Sequence, residues 1–227
     1  MITQEELKKH KIAIPSYTLG EELISAISHG VGALLGIAAL VLCVVKSAGQ
    51  HDAWMVVSSC LFGGTVTLLY LMSCLYHALK VNRAKRVFRV IDHCTIFLLI
   101  AGTYTPYMLV ALRTVRPALA WAVFGVIWAV TATGITLNAV NLRRYSKVSV
   151  VCYLLMGWMV LLTYRPLTEV VPPQGIRLLI WGGVVYSIGA LVYAIGSRKR
   201  YFHSIFHFFV LGGTVLHFLS IYLYVLG

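Results

Sequence analysis

The sequence predicts an all-α integral membrane protein, a seven-transmembrane helix bundle. Three observations predict it. Hydrophobic residues make up 59% of the 227-residue chain and charged ones 11%, against roughly 45–50% and about 25% in ordinary globular proteins. Mean hydropathy is +0.85, and no soluble fold of this size has enough interior to hide so much apolar surface. The apolar residues also gather in runs close to the roughly 20 residues that a bilayer crossing needs. They lack the alternation of a β-barrel strand, and backbone groups in lipid must bond within their own segment, so the runs are helices.

Seven runs follow in order: Leu23 to Val45, Ala53 to His77, Val87 to Leu109, Ala118 to Asn138, Val148 to Tyr164, Ile176 to Ile195 and Phe202 to Leu226. The connectors are short. Lys46–Asp52 carries Gly49, Arg165–Gly175 carries Pro172 and Pro173, and Lys80–Arg86, Arg113–Pro117, Asn141–Lys147 and Gly196–Tyr201 are rich in Lys or Arg. Residues 1–22 are expected to form a polar cytoplasmic segment without the apolar core of a cleaved signal peptide. Residues 23–227 are expected to form a single transmembrane domain.

Orientation follows from charge. With seven crossings, fourteen of the nineteen Lys and Arg fall on the side that holds the N-terminus. The positive-inside rule makes that side cytoplasmic, so the N-terminus is inside and the C-terminus outside. The net charge of +12 therefore reports topology, with membrane lipids rather than nucleic acid as the partners. Cys43, Cys60, Cys74, Cys94 and Cys152 all lie in apolar stretches with no CxxC pair, which suits reduced packing residues.

Six acidic residues, Glu5, Glu6, Glu21, Glu22, Asp52 and Glu169, fall in the N-terminal segment or the connectors, and only Asp92 enters a run. An ionisable group inside a span is a functional candidate by default. The plainer alternative is an aspartate at headgroup depth paired with Arg89 or a neighbouring arginine.

Five of the eight histidines, His29, His77, His93, His203 and His207, lie at the cytoplasmic ends of their runs, at similar depth. His203 and His207 are four residues apart and leave one helical face, so they can share an ion. His77, four residues after Ser73, adds a third imidazole. Three imidazoles and one open position form the arrangement typical of catalytic zinc. His93 suits a supporting or headgroup-level position, and His217, ten residues past His207, suits an interhelical hydrogen bond. Gly102 to Pro106 in the third run suits a close helix contact and a kink.

These residues carry a resemblance. Ser73-Cys-Leu-Tyr-His77, Asp92 after a basic connector, and His203-Ser-Ile-Phe-His207 opening the last run resemble the hemolysin III / progestin and adipoQ receptor family, bacterial branch, over essentially the whole chain. The resemblance implies seven spans with a cytoplasmic N-terminus and zinc held by His77, His203 and His207. It further implies that Asp92 holds the water at the metal and that Ser73 stands close by. It places the chain in a bacterial cell membrane and points to membrane-lipid homeostasis, with ceramide hydrolysis among eukaryotic relatives. One departure stands out: the family's opening Glu, Asn, His motif is occupied here by Glu22, Ser25 and His29, with a serine in the asparagine place.

Chemistry argued from the residues points the same way. Ser204 occupies the position that holds a glutamate base in soluble HExxH enzymes, so Asp92 is the carboxylate available to handle a proton. The leading expectation is a zinc-dependent, ceramidase-like hydrolase of lipid amides or esters whose substrate enters from the bilayer, with Asp92 and Ser73 as catalytic groups. A zinc-stabilised sensor or regulator without turnover is the rival. A cytolysin is disfavoured by the extreme hydropathy, and a transporter by the lack of charges through the bilayer centre.

Overall fold

The computed structural model describes residues 14–196 and 199–227. Glu5, Glu6, Lys8, Lys9, His10, Lys11 and Arg198, all used in the charge and histidine reasoning above, lie outside the described residues. Among the described residues the regular structure is entirely helical.

Helix α1 (Leu19–Gly49) starts four residues before the expected Leu23. Its signal is local: the Thr18 hydroxyl accepts from the Glu21 amide at 3.3 Å, and the Glu21 carboxylate accepts from the Thr18 amide at 2.8 Å, a reciprocal capping box. Glu21 and Glu22 therefore belong to the first turn of a helix, which corrects their assignment to the N-terminal segment. Helix α2 (Ala53–Ala78) is capped by Asp52, whose side chain accepts from the Trp54 amide at 2.7 Å. The two run antiparallel along a seam of small residues. A Cβ on Gly63 would sit 2.5 Å from the Leu40 Cα, and one on Gly36 3.1 Å from the Thr67 backbone, the close approach that membrane helices use for packing.

Helix α3 (Arg83–Pro106) is capped by Asn82 and continues as a π-helical turn, Tyr107–Leu112, to Val115. It is the central helix. In its most apolar window 83% of residues are buried, against 17–44% in the other long helices. Gly102 packs against Thr65 of α2, and the α-helix gives way to the wider turn at Pro106, where a proline removes a backbone donor.

Helix α4 (Pro117–Trp158) is part of a helical run that reaches Thr168 and contains the fourth and fifth expected spans. Asn141 breaks it, with φ −159° and ψ 85°. Ser149 Oγ donates to Asn138 Oδ1 at 2.7 Å, although eleven residues of straight helix would separate the two by about 16 Å. The chain has turned back. Before the break, Thr131 and Cys94 link to Phe97 and Ile135 across antiparallel helices. After it, Tyr153 donates to the His93 carbonyl and Tyr104 of α3 donates to that of Gly157, so this arm runs parallel to α3.

Helices α5 (Pro173–Gly196) and α6 (Phe202–Ser220, extended by a π turn Ile221–Val225) form an antiparallel pair. At one end of the bundle the Tyr201 amide donates to Glu21 Oε1 at 2.7 Å; at the other, Lys46 donates to the Tyr222 carbonyl at 2.6 Å. The first and last helices are thus parallel. Six helical runs are long and apolar enough to cross a membrane among the described residues. Their outer faces are apolar, with Leu34, Val45, Leu155, Leu162 and Trp181 between 60 and 70% exposed, as a lipid-facing belt requires and a soluble surface does not tolerate. All five cysteines are free.

Candidate metal centre

The ends of α1, α2, α3 and α6 meet where the basic residues Lys85, Arg86 and Arg89 gather, and three histidines converge there. His77 comes from the last turn of α2; His203 and His207 come from the first two turns of α6. Their closest ring nitrogens lie within 4.8 Å of one another. His203 Nε2 is 3.2 Å from His77 Nε2 and 3.1 Å from His207 Nε2.

Hydrogen bonding alone does not satisfy this trio. His77 Nδ1 donates to Glu22 Oε2 at 2.7 Å, because a carboxylate only accepts, and the neutral ring then turns a lone pair at Nε2 toward the cluster. If His203 Nε2 carries a proton it can serve His77 but cannot accept from His207; without one, it faces His77 lone pair to lone pair. The spacing suits three lone pairs around one cation: tetrahedral zinc with Zn–N near 2.0–2.1 Å sets its ligand nitrogens about 3.3 Å apart. The carboxylate behind His77 is the support that ligating histidines usually carry. The donor set therefore fits zinc.

Other residues close around the trio. The His29 ring stacks on that of His207 with centroids 3.7 Å apart, and neither His29 nitrogen has a partner among the described residues. Tyr17 stacks on His203 at 4.9 Å. Ser25 and Ser204 hydroxyls lie 3.1 Å apart, and Ser204 donates to the Glu21 carbonyl at 3.2 Å, fastening α1 to α6.

Asp92 and Ser73 are buried and line one cavity with His29, His203 and His207. Among the described residues Asp92 makes no ion pair with an arginine; its carboxylate lies 3.5 Å from His93 Nδ1. His93 donates to the Arg89 carbonyl at 2.9 Å and stands outside the trio. His217 is 3.0 Å from the Leu179 carbonyl, an interhelical bond. The cavity, of about 180 Å³, continues inward between α3, the second arm of α4, α5 and α6, past apolar walls such as Leu99, Ile100, Met108 and Val160.

The family profile described as "Haemolysin-III related" matches residues 17–218. The chain belongs to the haemolysin-III family. It is 38% identical to Hemolysin-3 of Bacillus cereus over 206 residues, covering 91% of this chain and 92% of that protein. It is 36% identical to the Hemolysin-3 homolog of Bacillus subtilis over 208 residues, covering 92% and 96%. Monocyte to macrophage differentiation factor of Homo sapiens is 26% identical over 196 residues, 82% of this chain and 79% of that one.

Against the family pattern, Ser25 in the asparagine place still makes an interhelical contact, through Ser204. Sequence reasoning underweighted Glu22, Tyr17 and His29. The signal for Glu22 and His29 was the opening motif itself. Tyr17 carried none, since a single aromatic in a polar segment resembles any other.

Proposed function

We propose that this haemolysin-III family member is a zinc-dependent membrane hydrolase acting on a lipid amide or ester. The observation that carries the reading is the convergence of His77, His203 and His207, the last two of which line a largely apolar cavity together with Asp92 and Ser73.

A zinc ion bound by the three imidazoles would supply Lewis acidity and an accessible nucleophile at neutral pH. The protein supplies the rest. Glu22 holds the His77 ring in one orientation. Asp92, buried and without an arginine partner among the described residues, accepts the proton of the attacking water and returns it to the leaving amine or alkoxide. The Ser73 hydroxyl donates to the oxygen that gains charge as the carbonyl is attacked. The apolar walls seat an acyl chain and keep bulk water from the reacting carbonyl.

The same reading takes the run from Pro117 to Thr168 as two crossings, seven in all. Support comes from the reversal at Asn141 and from the parallel first and last helices, which an even number of alternating crossings would make antiparallel. With the basic connectors inside, the histidine end faces the cytoplasm of a bacterial cell.

Metal analysis of purified protein beside a His207→Ala variant tests the centre. About one zinc per chain in the wild type, lost in the variant, is the expected result. Equal metal content in the two removes the site and the proposed chemistry together.

A further inference from the structure

The polar groups lining the cavity mostly find partners within the protein. Thr103 donates to the Leu99 carbonyl, Tyr104 to that of Gly157, Tyr107 to the Ser220 hydroxyl, and Trp158 Nε1 to Ser187. Among the described residues, buried ring nitrogens of the lining lack a partner in two places. One is the cluster of His29, His203 and His207; the other is His217. His207 and His217 are ten residues apart on α6, about 15 Å along a helix axis.

His217 is held in one state. Its Nε2 meets the Leu179 carbonyl at 3.0 Å, and a carbonyl only accepts, so Nε2 carries the proton and Nδ1 keeps a lone pair. Gly182 makes room for this ring, since a Cβ there would collide with it, and the Tyr186 ring lies 5.3 Å away. The result is a fixed acceptor with no donor among the described residues, on a ring that lines a mostly apolar cavity. A buried acceptor without a donor is costly, and an occupant that brings one removes the cost.

An amphiphile whose reacting group sits at the histidine trio reaches His217 with its hydrocarbon chain. The donor such a chain carries without a charge is a hydroxyl, whereas an ammonium would face a large desolvation penalty there. We propose that His217 Nδ1 forms a recognition subsite that accepts a hydrogen bond from a hydroxyl part-way along the acyl chain of a lipid. The proposal rests on the cavity holding a lipid, as the hydrolase reading requires, and selects hydroxylated acyl chains within that class.

The test compares three probes on the purified full chain by displacement of a fluorescent fatty acid: stearic acid, stearic acid hydroxylated at mid-chain, and stearic acid hydroxylated at its terminal carbon. The mid-chain probe is expected to bind about three- to tenfold tighter than the other two, the gain of one net neutral hydrogen bond. In His217→Phe that preference disappears while plain stearic acid still binds. Equal binding of the mid-chain and plain probes by the wild type overturns the subsite and leaves the lipid cavity standing. Failure of all three to bind overturns both. A mid-chain preference that survives His217→Phe also overturns the assignment. The positional comparison in the wild type decides the matter even where the variant does not fold.

Discussion

Glu22 Oε2 accepts a 2.7 Å hydrogen bond from His77 Nδ1, joining the first turn of α1 to the last turn of α2. Its other oxygen accepts one of 2.7 Å from Lys85 Nζ at the start of α3, and Lys85, 1% exposed, also donates to the Leu79 carbonyl. One carboxylate thus orients a candidate ligand and neutralises a buried ammonium.

This arrangement predicts two separable effects. In Glu22→Gln the amide carbonyl can still accept from His77, but the NH2 then faces the Lys85 ammonium, and the charge that strengthens the imidazole as a donor to metal is gone. Zinc affinity, measured by chelator competition, should fall about 10–100-fold with the helical signal unchanged. Glu22→Ala removes the acceptor of His77 as well as that of Lys85, and removing one partner of a buried pair costs about 3–5 kcal/mol. That variant should lose thermal stability as well as zinc. Unchanged zinc affinity in both would remove Glu22 from the centre.

On the proposed reading Asp92 handles protons rather than holding metal, and it lies outside the convergent histidine trio. Asp92→Asn should therefore keep zinc at the wild-type stoichiometry. Its hydrolysis of a fluorescent short-chain ceramide or ester should drop by about 10²–10⁴-fold, the usual contribution of a general base. Wild-type turnover in this variant would refute the role, and loss of zinc would make Asp92 a ligand instead.

Much of the fold was legible because hydropathy reports exposure to lipid directly. The run Ala53 to His77 ends within one residue of α2, and Phe202 opens α6 as expected. The start of α1 was not legible that way, because its signal is the Thr18–Glu21 capping box inside a polar stretch, where a hydropathy window is blind. The trio was legible in part. Helical spacing put His203 and His207 on one face, but periodicity says nothing about contacts between distant segments. The Glu22–His77 bond spans 55 residues and the Ser25–Ser204 contact 179, and neither leaves a trace in local pattern. The same holds for the stacking of His29 on His207.

The proposed seven crossings make a prediction about accessibility. In a background with the five native cysteines replaced, Ser146→Cys, just past the break at Asn141, and Gln50→Cys, between α1 and α2, should face opposite sides of the membrane. A thiol reagent that cannot cross lipid should label the Gln50→Cys chain in intact cells and the Ser146→Cys chain in inverted vesicles. Labelling of both from the same side would mean that the run from Pro117 to Thr168 crosses once.

The reversal itself rests on few polar contacts. Asn138 is fully buried; its Oδ1 accepts from Ser149 at 2.7 Å and its Nδ2 donates to Tyr153 Oη at 3.5 Å. Tyr153 in turn donates to the His93 carbonyl at 2.7 Å, which ties the turned arm to α3 beside Asp92. Asn138→Ala leaves the buried Ser149 hydroxyl without its acceptor, and an unsatisfied group of that kind costs about 1–3 kcal/mol. Its unfolding midpoint in detergent should fall. Adding Ser149→Ala should restore part of the loss, because two apolar groups cost less than one stranded hydroxyl, and the two changes are then not additive. Strict additivity would show that the hydroxyl finds another partner and that the Asn138–Ser149 bond does not hold the arms together.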